Sequence, residues 1–188
     1  MVRKKRSIAI ILTLVQKRRS IRRYQKRNIE PDKIQAIIEA ALRSPSSMGY
    51  NPWEFVVVDD SDLLDKLSKA KPQGSAFIKN APLGIVVCAD PERSSVWVED
   101  ASIACTYIQL TAESLGLGSC WIQIRDRMHD QAKPAEVYVA EVLSIPKKMK
   151  VEAMIAIGYP DEQKAPHSRE GLQYGKVHLN FYGKPHRS

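Results

Sequence analysis

The chain has 188 residues, of which 44% are hydrophobic and 27% charged, with 29 Lys and Arg against 21 Asp and Glu. This is enough apolar material for one packed domain at ordinary globular charge density, which excludes a disordered, a collagenous or a disulfide-stapled class. Cys88, Cys105 and Cys120 are odd in number and widely spaced. They suit a reducing compartment, give no metal-ligand pattern, and lead to the expectation of a cytoplasmic protein.

The net charge of +8 is not spread along the chain. Residues 1–27 hold eleven Lys and Arg and no Asp or Glu, so residues 28–188 carry 18 cations against 21 anions. That distribution favours a local anion site over a generally basic surface. A basic leader before the apolar run Ile8 to Val15 imitates a secretory signal. However, no small-residue cleavage site comes after it, three cations do, and Ile8, Ile11, Leu12 and Val15 fall on one helical face. The reading is a packed first helix, and no segment approaches the roughly 18 apolar residues of a membrane span.

From Pro31 the spacing Ile34, Ile37, Ile38, Ala41, Leu42 predicts a second helix with proline in its first turn, stopping at Ser44-Pro45. Residues 44–53 read as an ordered loop, leading into a strand over 54–58. A short helix over 62–69 takes Ser61 as its N-cap. The apolar run Leu83 to Ala89 predicts a buried strand. A long helix over 94–115 puts Trp97, Ala101, Ala104, Cys105, Ile108, Ala112 and Leu115 on one stripe, and Gly116 closes it. A strand over 118–124, a helix over 135–143 and a strand over 151–157 complete the compact part. Beyond Pro160 periodicity is lost for about 15 residues, longer than a loose connection in a small monomer should be. The alternating run Lys176 to Tyr182 then predicts a last strand, and the tail is expected to wrap a partner subunit.

Three places could carry chemistry. If residues 18–22 are extended, alternation puts Arg18, Ser20 and Arg22 on one side, two guanidinium forks and a hydroxyl suited to a phosphomonoester. A solvated basic turn is the plainer alternative. The 44–53 loop, rich in donors and acceptors and held by proline at both ends, could border a heterocycle with Trp53 as anchor, or simply connect helix to strand. Gly116-Leu117-Gly118-Ser119-Cys120-Trp121 allows close backbone approach to a ligand, but it lacks the dinucleotide fingerprint and the Walker lysine. The four histidines have no zinc spacing, no nucleophile elbow is present, and no carboxylates pair for acid–base work. No metal and no catalytic side chain are therefore expected.

Taken together, Lys17-Arg18-Arg19-Ser20-Ile21-Arg22-Arg23-Tyr24, Ser44 to Phe55, Gly116 to Ile122 and Ile157-Gly158-Tyr159-Pro160 resemble, in order and spacing, the FMN-dependent nitroreductase family. The resemblance covers about residues 12–182, leaving 1–11 as a basic extension before a single FMN-binding domain, 12–188. It implies an α+β, three-layer α/β/α fold with a mainly antiparallel sheet. It also implies an intertwined homodimer with FMN at the subunit interface and a C-terminal segment extended onto the partner. By position, Arg18, Arg19, Ser20 and Arg22 would bind the FMN phosphate and ribityl chain, with Arg169 at the same phosphate. Pro45, Ser46, Ser47, Met48 and Gly49 of the second subunit would border the ring. Cys120, Trp121, Ile122 and Gln123 would lie beside the isoalloxazine, and Gln73 near a polar edge of it. The chain departs from many relatives in carrying Gly49 where they have Asn, Asn51 where they have Gln, and His167 where some have Lys.

The resemblance further implies an NAD(P)H-dependent oxidoreductase that reduces nitro compounds, quinones or similar small acceptors by a ping-pong hydride transfer through flavin N5. NADH or NADPH is the reductant, and Arg18 and Arg19 are the cations for the charge on reduced flavin. One alternative keeps the fold in a flavin-fragmenting, dehalogenating or flavin-binding role. A remote one is nucleic-acid binding through the basic N-terminus, disfavoured because the three Trp and seven Tyr are not interleaved with cations.

Overall fold

The computed structural model describes residues 2–186, with side chains from Ile10 onward. The cations Arg3 to Arg6 and the side chain of Ile8 lie outside the described side chains. The residues divide into two units: residues 18–163, and residues up to 17 together with those from 164.

The larger unit is built on a four-stranded sheet of β1 (Trp53–Val58), β2 (Leu83–Ala89), β3 (Gly118–Gln123) and β4 (Lys150–Gly158), in the order β1-β2-β4-β3. Every neighbouring pair is antiparallel. All seven residues of β2 are buried, as its unbroken apolar run requires of a strand covered on both faces. With α1 (Val2–Lys17) assigned to the other unit, the helices here are α2 (Pro31–Leu42), α3 (Ser61–Ser68), α4 (Trp97–Ser114) and α5 (Ala135–Leu143).

Alternate side chains of β2 and β4 send the core two ways. On one face Ile85, Val87, Ala153 and Ile155 meet Ile37 and Ala41 of α2 and Ala101, Cys105, Ile108 and Ala112 of α4. On the other, Val86, Met154 and Ala156 meet Leu64 and Leu67 of α3 and Ala135 and Val139 of α5. The result is the expected three-layer α+β architecture with an antiparallel sheet. The small residues of the α4 stripe let this helix lie close on the sheet. Pro31 takes the first helical position of α2, and Gly116, at φ +75°, lies just past the end of α4. One cap differs from expectation: α3 is capped by Asp60, one residue before Ser61, and its carboxylate accepts the Leu63 N–H at 2.8 Å.

In the smaller unit, α1 runs from Val2 without a break at residue 11. Its apolar face is not packed in this single chain: Ile10, Ile11, Leu12 and Val15 are all more than half exposed. Residues 176–182 do not form a strand. A short 3-10 turn over Tyr174–Lys176 and a single bridge between His178 and Pro185 stand there instead, because no neighbouring strand offers its edge. Among the described residues, no helix is long and apolar enough to cross a membrane.

Candidate functional site

Two segments nearly a hundred residues apart meet at the start of β3. Ser20 forms a parallel bridge with Ser119, and the Ile21 N–H donates to the Ser119 carbonyl at 3.0 Å. The approach depends on Gly118, where an added Cβ would sit 2.8 Å from the Ile21 side chain. The segment is fixed further on by Tyr24, buried, whose hydroxyl donates to the Ile21 carbonyl at 2.5 Å. Burial, with Cys120 and Glu162 nearby, pushes the Tyr24 phenol upward, so it stays a neutral donor. The segment thus lies against the start of β3 through the single bridge at Ser20, with Arg18, Arg19 and Ser20 half-buried.

The backbone amides of Arg22 and Arg23 already hold an anion, the Glu162 carboxylate, at 2.5 and 3.2 Å. Arg22 lies over the Phe77 ring at 5.7 Å. Among the described residues no Asp or Glu side chain forms an ion pair with the Arg18 guanidinium. Beyond Arg22 a cleft of about 560 Å³ is lined by Arg22, Arg23, Lys26, Arg27, Lys79 and Asp161 among others. Four cations of the basic stretch, Arg22, Arg23, Lys26 and Arg27, therefore share one cleft of this unit.

On β3, the Trp121 indole N–H donates to Gln123 Oε1 at 2.9 Å, and Gln123 Nε2 donates to Glu152 Oε1 at 3.3 Å. Glu152 is buried and pairs through Oε2 with Arg125 Nε at 3.0 Å. Burial raises the Glu152 carboxyl against the opposing pull of Gln123 and Arg125. Cys120 is fully buried with its thiol turned toward the Trp121 carbonyl at 3.5 Å, and Ile122 belongs to the core, so what these two can offer a ligand is backbone.

Lys71, which the sequence did not single out, is the additional cation here. Its ammonium is lowered from the usual lysine range, first by partial burial and then by Arg127, while the Cys120 thiol acts in the opposite sense. Gln73 is exposed, two residues further along the same turn, which Gly74 closes at φ +81° and buried Ser75 pins through hydrogen bonds to residues 68 and 71. Lys71 stands two residues from Gln73, yet nothing in the sequence shows that Cys120 and Arg127 act on it.

The loop after α2 is ordered, as expected, and carries a 3-10 turn over Ser47–Gly49. Met48, Gly49 and Asn51 all have positive φ, at 52°, 68° and 46°. Ser46 Oγ accepts the Asn51 N–H at 2.9 Å, and the Ser47 N–H donates to Asp100 Oδ1 of α4 at 2.8 Å. Pro45 and Ser46 are exposed to half-buried, and Met48 stands out at 83% exposure. Backbone strain of this kind gathers where a surface is shaped for a ligand. Arg169 lies in the other unit with Gln16, His167 and Leu172 around a cavity of about 440 Å³; the His167 N–H donates to the Gln16 carbonyl at 3.3 Å. Among the described residues no cluster of His, Cys, Asp and Glu could hold a metal.

The model of the Nitroreductase family matches residues 15–74 and 71–159. Among solved structures, an FMN-dependent nitroreductase of Clostridium difficile is 50% identical and superposes with a TM-score of 0.90, over 91% of this chain and 99% of that one. A protein of Methanothermobacter thermautotrophicus, provisionally named an NADH dehydrogenase/NAD(P)H nitroreductase, is 35% identical over 90% of this chain and 86% of its own length. An NAD(P)H-dependent FMN reductase of Bacillus subtilis is 27% identical over 86% and 72%.

Proposed function

The chain belongs to the nitroreductase family, and we propose that it is an oxidoreductase that binds FMN and uses NADH or NADPH to reduce nitro compounds, quinones or similar small acceptors. The observation that carries this reading is the Ser20–Ser119 bridge, which sets a half-buried row of cations and a hydroxyl against the start of β3. The donor set fits the cofactor. Two guanidinium groups and a hydroxyl, from Arg18, Arg22 and Ser20, are the donor types that a phosphomonoester takes. The polar backbone of Cys120 to Gln123 suits the edge of a flat heterocycle, with Trp121 held in place through Gln123 and Glu152.

Bound FMN supplies hydride uptake from the nicotinamide and its delivery to the acceptor in alternate half-reactions. The protein's residues bind and orient. Arg18 and Arg19 place positive charge where negative charge must be accommodated. No acid–base side chain is assigned.

The working form is a homodimer in which Pro45 to Gly49 of a second copy borders the ring. Its support is exposed apolar surface: Ile10, Ile11, Leu12 and Val15 on α1, and Leu172, Leu179, Phe181 and Tyr182 in the tail, each at least half exposed in the single chain. The test is a visible absorbance spectrum of the purified protein, repeated anaerobically with NADH and then NADPH, with light scattering for mass. Flavin bands that bleach with one nucleotide on a dimer are expected. A colourless protein that takes up no added FMN removes the reading; bound flavin that neither nucleotide reduces assigns the fold to a flavin-fragmenting, dehalogenating or flavin-binding role.

A further inference from the structure

Asp100 is a buried carboxylate, 2% exposed, in the first turn of α4. Both of its oxygens are committed: Oδ1 accepts the Ser47 N–H at 2.8 Å and Oδ2 accepts the Ser94 hydroxyl at 2.8 Å. No cation pairs with it among the described residues. A buried carboxylate without a counter-ion is costly to keep, so what it holds must matter to the fold or to the site.

The segment it holds is the loop with three positive φ values at Met48, Gly49 and Asn51. Two of these are not glycine and sit in a region that side chains disfavour. Inside the loop the hydrogen bonds are local: Gly49 N–H to the Ser46 carbonyl at 3.2 Å, Tyr50 N–H to the Ser47 carbonyl at 3.0 Å, and the reciprocal Ser46–Asn51 pair. Among the described residues, the Ser47–Asp100 bond is the one that ties residues 45–51 to a distant element. Local bonds shape the turn; this one decides where the turn sits on the fold.

We propose that Asp100 is a positioning residue: through the Ser47 amide it holds Pro45 to Gly49 in the geometry that borders the flavin ring. The proposal rests on the FMN reading above. Asp100 itself meets no cofactor atom, and its action passes through one backbone N–H.

The test compares the wild type with D100A, D100N, S47P and S47A. Asn at 100 keeps an oxygen for the Ser47 N–H and offers an N–H to Ser94 Oγ, so it preserves both contacts without charge. Pro at 47 deletes the donor and leaves the carboxylate. Ser46 is already extended, at φ −137° and ψ 160°, as a residue before proline should be, and the first position of a helical turn accepts proline. S47A keeps the N–H and reports separately what the Ser47 hydroxyl contributes, so the effect of deleting the N–H is read from S47P against S47A. The readouts are the FMN dissociation constant, the visible circular dichroism of bound flavin, and amide hydrogen exchange at residues 46–51 in the apo protein.

Losing one hydrogen bond to a charged group corresponds to roughly 10- to 100-fold in affinity. D100A and S47P are expected to weaken FMN binding by that factor, to alter the dichroism and to speed exchange at Gly49 and Tyr50. D100N is expected to stay within about threefold of the wild type, and S47P to bind FMN more weakly than S47A. Folded D100A and S47P proteins with wild-type affinity and unchanged dichroism would overturn the proposal, as would a D100N protein as impaired as D100A. If D100A does not fold, S47P decides. A wild-type protein that takes up no FMN removes the cofactor reading separately, and the apo exchange comparison then decides the anchor.

Discussion

Ser20 and Ser119 lie side by side in a single parallel bridge, tightened by the Ile21 N–H bond to the Ser119 carbonyl at 3.0 Å. The closeness rests on a missing methyl group. An alanine Cβ at position 118 would stand 2.8 Å from Ile21, inside any normal carbon contact. G118A should therefore cost about 1–3 kcal/mol as an overpacking change and push the cationic segment off β3. Thermal melts and FMN titration should fall together, and the G118A/I21A double variant should recover part of both, because removing the Ile21 branch makes room. Additive losses in that double variant would mean that the glycine matters for some reason other than this contact.

Arg18 is half-buried in the same strip, with no carboxylate partner among the described residues. If its guanidinium meets a phosphate, R18A should weaken FMN by roughly 10- to 100-fold, the usual worth of a charge-assisted hydrogen bond. Riboflavin has the ring without the phosphate and should bind wild type and variant about equally. Isothermal titration with both ligands separates the two cases. An equal loss for riboflavin would place Arg18 at the ring instead.

Much of the architecture was legible because it is written locally. The run Leu83 to Ala89 is apolar at every position but Gly84 and became a strand buried at every position. The stripe of α4 predicted its buried face at Ala101, Ala104, Cys105, Ile108 and Ala112. Failures arose where the deciding partner is remote or equivalent. Asp60 and Ser61 are both capping residue types, and only the bond to Leu63 tells them apart. The alternation in 176–182 is a valid strand pattern without an adjoining edge in the single chain. Asp100 left no trace in the pattern because its partner, Ser47, is 53 residues away. Lys71 carries no mark in the sequence because the influence of Arg127 and Cys120 on it depends on how the turn after α3 folds.

The Trp121–Gln123–Glu152–Arg125 chain predicts a different balance. Glu152 has 4% side-chain exposure while Arg125 has 35%, so one end of the pair is dry and the other partly screened. E152A takes one of two carboxylates from Arg125, which keeps Asp126 at 2.6 Å, and leaves Gln123 Nε2 only the Arg125 carbonyl at 3.1 Å, and about 1–3 kcal/mol of stability should be lost, short of the full value for a wholly buried pair. Because burial holds the Glu152 carboxyl above its usual range, this group's contribution is greatest below its unfolded pKa near 4.5 and diminishes as pH rises through the folded one. E152Q should flatten that part of the stability profile in urea melts taken across pH. A profile identical to wild type would mean that Glu152 does not set this part of the pH dependence.

Acid sensitivity should centre on Glu30. Tyr159 donates its hydroxyl to Glu30 Oε2 at 2.5 Å and accepts from Lys33 Nζ at 2.7 Å, with the Arg27 guanidinium 3.9 Å above its ring and 2.6 Å from Glu30 Oε1. The Tyr159 hydrogen bond, foremost, lowers the Glu30 carboxyl to about 2. A depressed carboxylate stabilises the native state above its unfolded pKa near 4.5, and that stabilisation is lost as pH falls toward about 2. Melting temperature should therefore drop through this window in the wild type. E30Q should be less stable at neutral pH and nearly flat across the same window. Y159F, which removes the hydroxyl and keeps the ring under Arg27, should shift the acid limb toward higher pH without abolishing it. An unchanged acid limb in Y159F would transfer the effect to Arg27 and Lys33, whose charges surround the same carboxylate.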